Sequence, residues 1–241
     1  MQVAFTAKYN SGCISRQVGA VVTNGSYSIK SVGWNNTPEG QVPCLLRNVD
    51  DLISEDDTKA FSEFELTDGE FRAALSNEYG NVNKDNLKGH NCSFCFKQLH
   101  NSFKEGKNQV HTRSLHAEEN AFLQIAKDGG QSIKDGKLFT TASPCELCAK
   151  KAVQLGIRSI YYIDPYPGIS QTHILASGKH KIIMKLFSGA VGRAYHRFYE
   201  PFMAYKDELS LRTGSDIQDR TKQLQHEVIR LRREIDELRN E

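Results

Sequence analysis

Two short stretches carry side chains whose types and spacing can do chemistry: His116-Ala117-Glu118-Glu119-Asn120 and Ser143-Pro144-Cys145-Glu146-Leu147-Cys148. One imidazole and two thiolates form a zinc donor set, and three protein ligands leave a tetrahedral ion with its fourth position open to water, unlike a closed structural site. Glu118 follows the His by two residues on a first helical turn. It cannot easily reach the same metal and instead sits beside that water as acid and base. The chemistry is hydrolytic, with His116, Cys145 and Cys148 on the metal and Glu118 carrying the proton. Alone, a His-x-Glu is an ordinary helix start and a Cys-x-x-Cys serves redox pairs and zinc knuckles alike. Here they occur in order, with 25 residues between Glu118 and Pro144, and each falls at a predicted helix N-terminus, where backbone N–H dipoles favour thiolate.

The elements that must position these groups alternate. The pattern predicts helix 116–128, strand 137–141, helix 145–155, strand 159–163, a helix near 170–177 and strand 181–185. Strands separated by ten-residue helices imply an α/β sandwich with parallel strands at its centre. Upstream, residues 1–11 read as a helix carrying Val3, Phe5 and Ala7, closed by a left-handed Gly12. Strands 18–22 and 27–32 follow, joined at Asn24-Gly25, a dipeptide that tolerates positive φ in a tight hairpin. The loop Gly33-Trp34-Asn35-Asn36-Thr37-Pro38-Glu39-Gly40 is either an ordinary turn or a set of short polar side chains, Asn35 and Thr37 among them, placed to read a sugar and a base edge.

Residues 48–112 read as an insertion, acidic first and then helical, with Thr67-x-x-Glu70 as a capping box and Phe71, Leu75 and Tyr79 one helical turn apart. From about residue 206 the character changes. Ile217, Leu224, Leu231 and Leu238 recur at sevens, and Thr221, Val228 and Ile235 fill the other apolar heptad position. Glu227 and Glu234 then face Arg232 and Arg239 of a partner helix, the pattern of a parallel two-stranded coiled coil through 217–238. A single amphipathic helix lying on its own domain is the alternative. The expected organisation is one catalytic domain, 1–205, and a C-terminal helix, 206–241.

The chain has 241 residues, 39% hydrophobic and 25% charged, and a net charge of +2. Nine acidic residues between Asp50 and Glu70 against Lys59 alone give that stretch −8, so the remainder carries +10. Such an imbalance suits a pocket for an anion, or marks a solvated acidic loop. No apolar run is long enough to span a membrane and the N-terminus does not look like a secretory leader, so a cytoplasmic protein is expected. Six cysteines in a reducing compartment point to metal or catalysis before disulfides.

The two motifs together resemble the signature of zinc nucleobase deaminases. With Cys13-Ile14-Ser15-Arg16-Gln17-Val18-Gly19-Ala20-Val21 and the Gly33–Gly40 loop added, the sequence resembles the deoxycytidylate deaminase family over roughly residues 1–165. Asn120 after the His-Ala-Glu run and the Gly-aromatic-Asn-x-x-Pro loop carry that likeness. It implies a cytidine deaminase-like α/β/α sandwich with a mixed five-stranded sheet, and zinc-dependent deamination of dCMP or dCTP to the uracil nucleotide. It also implies that Asn35 bonds the deoxyribose, that Ala117 and Ser143 offer backbone groups to the cytosine edge, and that Tyr162 lies near the base or sugar. Arg16 and Arg113 are candidates for the phosphate, or surface residues. Cys13 and Cys44 match ligands of a second, structural zinc in some phage-type members. Cys92 and Cys95 could complete it, with His90, His100 or His111 in reserve, unless Cys92-x-x-Cys95 is simply two buried thiols. The stretch Tyr161–Gly168 and the long C-terminal portion resemble bacterial antiphage deaminases that deplete deoxycytidine nucleotides, although the sequence has no Gly-x-x-x-x-Gly-Lys-(Ser/Thr) loop of the nucleotide-binding domain common in that group.

Two other functions compete. A deaminase acting on single-stranded nucleic acid would want a basic, aromatic-lined groove, which near-neutral charge and an acidic insertion argue against. A coiled-coil scaffold with a metal-stabilised domain would not need Glu118.

Overall fold

The computed structural model describes residues 1–104, 111–127, 129–166, 168, 170–214 and 217–239, apart from the side chains of 217–222 and 239. Helix α1 (Gln2–Ala7) continues as one 3-10 turn to Asn10 and ends at an extended Ser11. Gly12 is therefore not the left-handed stop expected. Its small size matters instead, because an added Cβ would lie 2.3 Å from Pro43 Cβ.

Strand β1 (Gly19–Thr23) pairs antiparallel with β2 (Ile29–Trp34). The turn falls at Asn24-Gly25 but spans more than two residues. Asn24 accepts from the N–H groups of Ser26 and Ser28 through its side chain, and Tyr27, not Asn24 or Gly25, takes the left-handed conformation at φ 66°. β2 also runs two residues past the expected end at Val32, taking Gly33 and Trp34 out of the loop.

The insertion forms α2 (Val49–Ser54), α3 (Glu63–Thr67), α4 (Gly69–Gly80) and α5 (Phe96–Phe103). Phe71, Leu75 and Tyr79 are buried as their spacing predicts, packed with Val49, Leu52, Phe61 and Phe96 in a core of their own. Each such side chain contributes about 1.5–3 kcal/mol. The capping box sits one helix earlier than expected, at Ser62 and Glu65. Thr67 turns back to donate to the Glu63 carbonyl, Asp68 caps α4, and Glu70 pairs with Lys104. Glu65 has a second duty: with 6% of its side chain exposed, it bonds Arg47 at 2.8 Å and Arg113 at 3.0 Å.

The remaining elements follow the alternation: α6 (Ala117–Lys127), β3 (Lys137–Ala142), α7 (Glu146–Gln154), β4 (Ser159–Asp164) and β5 (Ile183–Leu186). A π-helical turn, Gln171–Leu175, stands where a helix near 170–177 was predicted. The strand order is β2-β1-β3-β4-β5, with β1 antiparallel to β2 and β3, and β3, β4 and β5 parallel. This is the mixed five-stranded sheet the resemblance implied. Neighbouring residues of a strand face opposite sides. Gly19 backs onto Ala4 of α1, so Ala20 and its partner Gly33 face α6 on the other side. Ala20, Val22, Leu138 and Ile160 meet Ala117, Ala121 and Phe122 of α6 and Ala149 and Ala152 of α7 in the main core. Small residues at these helix positions bring the backbones of helix and sheet close.

Residues Met1–Gly192 form one compact unit and Arg193–Glu241 a second, a division that falls before the expected boundary at 205. The second holds α8 (Arg193–Tyr199), α9 (Tyr205–Thr213) and α10 (Ile217–Arg239). Leu224, Val228, Leu231, Ile235 and Leu238 are exposed along α10, while the side chains of Ile217, Thr221 and Arg239 lie outside the described residues. Among the described residues no helix is long and apolar enough to cross a membrane.

Candidate active site

The C-terminal ends of β3 and β4 lie side by side, Ala142 opposite Asp164. A crevice outside parallel strand ends is where open α/β sheets bind ligands. Three backbone arrangements bring the chemistry there. Leu115 N–H donates to the Asn36 carbonyl at 2.8 Å, which ties the residue before His116 to the chain just past β2. Asn120 on the first turn of α6 donates its amide to the Trp34 carbonyl at 2.9 Å. Past β3, the chain turns at Ser143-Pro144 so that Cys145 becomes the N-cap of α7, with its carbonyl accepting from Ala149. An ion pair between Glu119 and Lys151 joins the two helices. Glu119 thus links the two helices.

His116 Nδ1 stands 3.2 Å from Cys145 Sγ and 3.5 Å from Cys148 Sγ. All three ligand atoms lie within 4.8 Å of one another. Ligand pairs on a tetrahedral zinc are separated by about 3.5 Å, given bonds near 2.0–2.3 Å, so the trio fits zinc. Its electrostatics agree. Hydrogen bonds from the Cys148 thiol and His116, the former larger, hold the Cys145 thiol down at about 4 against the opposing effect of burial. The bond to Cys145 pushes His116 up. The shared proton and burial push Cys148 up. Binding a cation would displace the protons these three groups share.

Glu118 is 4% exposed. Burial raises its carboxyl pKa above the ordinary range, opposed by its own backbone N–H, His116 and Thr140. A carboxyl raised in this way is suited to accept and return a proton.

His116, Ala117, Glu118 and Cys145 line a cavity of about 190 Å³ with Asn35, Ser143, Arg16 and Arg113. Asn35 is heavily engaged: its side-chain oxygen accepts from Val18 N–H and the Ser11 hydroxyl, and its amide donates to the Arg16 carbonyl, leaving one amide hydrogen for another partner. Ser143 gives its N–H to the Asp164 carbonyl and its hydroxyl accepts from Tyr166 N–H, so its own carbonyl is the backbone group left for a base edge. Arg16 pairs with Asp164 at 3.2 Å. Arg113 is held by Glu65, the Ala60 carbonyl and Gln41. Two expected residues stand outside the cavity wall. Thr37 donates to the Gln41 carbonyl, and Tyr162 lies within the sheet, paired with Thr140 and Leu186. Tyr166, Arg47 and Lys97 line the cavity but were not singled out in the sequence. Tyr166 follows a strand end, a usable signal; Arg47 and Lys97 lie in or near the insertion, where nothing local marks them.

The four remaining cysteines are not brought together as a set. Cys13, Cys44 and Cys95 line the same cavity, as does His111. Cys92 is buried in the insertion core, its N–H on the cap residue Asn48, and burial first, then Asp50, pushes its thiol up. Among the described residues, His116, Cys145 and Cys148 are the one set of three or more donors close enough for a metal. His90 does not line this cavity, and His100 stacks on His111 at 3.6 Å between ring centres.

A mixed sheet carrying a His-Cys-Cys centre beside a buried glutamate, at the ends of parallel strands, defines a zinc-binding hydrolytic α/β protein. Residues 1–164 match the family model of the cytidine and deoxycytidylate deaminase zinc-binding region, and the chain belongs to that family. It is 29% identical over 175 residues to the deoxycytidylate deaminase of Enterobacteria phage T4, covering 69% of this chain and 76% of that protein. The deoxycytidylate deaminase of Schizosaccharomyces pombe is 27% identical over 174 residues, covering 71% of this chain and 38% of that one. Among solved structures, the dCMP deaminase of cyanophage S-TIM5 in complex with dCMP and dUMP aligns at a TM-score of 0.44 and 23% identity, covering 76% of this chain and 90% of that one.

Proposed function

We propose that this protein removes ammonia from a deoxycytidine nucleotide, dCMP or dCTP, with water as co-substrate and the deoxyuridine nucleotide as product. The observation that carries it is Glu118, buried beside the His116-Cys145-Cys148 trio in a cavity whose wall also holds Arg16, Lys97 and Arg113. The deoxycytidylate deaminases among its relatives support the substrate. His116, Cys145 and Cys148 would hold the zinc, which would supply a water of lowered pKa. Glu118 takes a proton from the attacking water as its oxygen adds to C4 and delivers it to the ring nitrogen. A second transfer through Glu118, from the new C4 hydroxyl to the exocyclic amine, forms the C4 carbonyl as the C–N bond breaks and ammonia leaves. Asn35 and the Ser143 carbonyl orient sugar and base, and the cavity cations face the phosphate.

A second, structural zinc is proposed at Cys13, Cys44 and Cys95, with His111 in place of Cys92; the four share one cavity wall, and binding would have to draw them closer together than they stand. Two zincs per chain in the purified protein support it and one refutes it. The reading extends to a cytoplasmic enzyme acting in antiphage nucleotide depletion, with α10 pairing two chains. Zinc-loaded protein incubated with dCMP, dCTP, cytidine and single-stranded DNA should release ammonia from a free nucleotide. Glu118→Ala should keep its zinc and lose at least about 10²–10⁴-fold in turnover. Turnover of DNA alone, or a Glu118→Ala variant that stays active, overturns the assignment.

A further inference from the structure

Thr140 sits in the middle of β3, completely buried, on the sheet face that carries Leu138 and meets α6. Its hydroxyl lies 3.1 Å from Glu118 Oε1 and 2.8 Å from the Ala142 carbonyl oxygen. A valine would fill the same space in this apolar layer. A buried hydroxyl is costly unless hydrogen-bonded, and here both of its neighbours are acceptors when Glu118 is ionised. One hydroxyl has a single proton and two lone pairs. Facing a carboxylate, Thr140 donates to Oε1. Facing a carboxyl protonated on Oε2, it still donates to Oε1, which is then the carbonyl oxygen of the acid.

We infer that Thr140 is a positioning residue for the proton carrier: its hydroxyl holds Glu118 Oε1 in one place and leaves Oε2 to work on the water and the base. This rests on the reading of Glu118 as the proton carrier. β3 suits the task because it is paired on both sides, Thr140 opposite Ala20 of β1 and Tyr162 of β4, so the hydroxyl is mounted on backbone that cannot drift. A proton carrier that must reach two acceptors in turn gains from a fixed pivot, since a misplacement of about 1 Å can cost roughly 10²-fold in rate.

The test compares kcat and KM for dCMP, with zinc content, in zinc-loaded parent, Thr140→Val and Thr140→Ser. Thr140→Val should keep its zinc and a KM within about threefold while kcat falls about 10- to 100-fold, and Thr140→Ser should recover most of that loss. A Thr140→Val enzyme with kcat within about twofold of the parent overturns the inference. Should Thr140→Val fail to fold or to hold zinc, Thr140→Ser against Thr140→Ala isolates the same hydroxyl: serine well above alanine in kcat supports the inference, and equal turnover overturns it. Failure of the underlying reading looks different, since parent protein inactive on dCMP or an active Glu118→Ala variant condemns the role of Glu118 itself.

Discussion

Replacing Gly33 by alanine should damage turnover more than its single methyl group suggests. Gly33 lies in β2 opposite Ala20, where α6 crosses the strand, and an added Cβ would sit 2.4 Å from Ala121 N and 2.5 Å from the Ala117 carbonyl oxygen. Ordinary contact begins at 3.4 Å, and both obstacles are backbone, so the helix must move by about 1 Å, since overpacking of this kind is relieved by backbone shifts. α6 begins at Ala117, directly after His116, and carries Glu118 on its first turn. A shift of about 1 Å in a group that must meet a reacting atom costs up to roughly 10²-fold in rate. Overpacking itself costs about 1–3 kcal/mol, or about 5 °C in Tm for a unit of this size. Ammonia release at saturating dCMP, zinc content and thermal unfolding measure all three. Gly25→Ala is the control, because its new Cβ would meet nothing closer than 3.6 Å. A Gly33→Ala protein with the parent's kcat and Tm would refute the idea that this backbone contact sets the position of α6.

Three further outcomes follow from the geometry. Glu65→Ala strands Arg47, whose side chain is 2% exposed, and loosens Arg113; urea unfolding should show a loss of about 3–5 kcal/mol, and a loss below about 1 kcal/mol would mean Arg47 finds other partners. In metal-free protein the Cys145 thiol is held down at about 4 from 9.0, so its reaction with iodoacetamide should persist as pH falls from 9 towards 5. The stability this thiolate contributes is present above the unfolded thiol's pKa and is lost as pH falls through about 4; labelling of Cys145 that vanishes below pH 8 would contradict it. Leu231→Lys, in the exposed stripe of α10, should convert a dimer to a monomer in sedimentation at unchanged zinc content, and a monomeric parent would rule out the coiled coil.

The zinc trio, Glu118 and the alternation of strands and helices were legible in the sequence because each is a local pattern: His116-x-Glu118, Cys145-x-x-Cys148 and apolar runs at strand and helix periods. What escaped is what depends on distant partners. Thr140 reads as any β-branched strand residue until α6 is laid over it. Gly33 reads as a strand breaker, yet it stays within β2 because the helix leaves no room for a side chain there. Thr67 and Glu70 fit the capping-box pattern as well as Ser62 and Glu65 do, and choosing between them needs the buried Arg47 that fixes Glu65. Tyr27 at positive φ in place of Gly25 reflects the register shift between Val22 and Thr23, which no dipeptide preference encodes. Cys92 shares its motif with Cys95 but follows the cap of α2 into a different environment.

The shared carboxylate of Glu65 has a kinetic consequence. One negative charge set between two guanidiniums leaves a surplus positive charge fixed in the wall of the cavity, where neither Arg47 nor Arg113 can swing out to be neutralised by a surface acid. Beyond the cavity mouth the field of that surplus charge runs through solvent, where dissolved salt screens it. It draws an anionic ligand inward before any contact is made, so the association rate for a nucleotide should fall with rising ionic strength while that of the uncharged nucleoside stays flat.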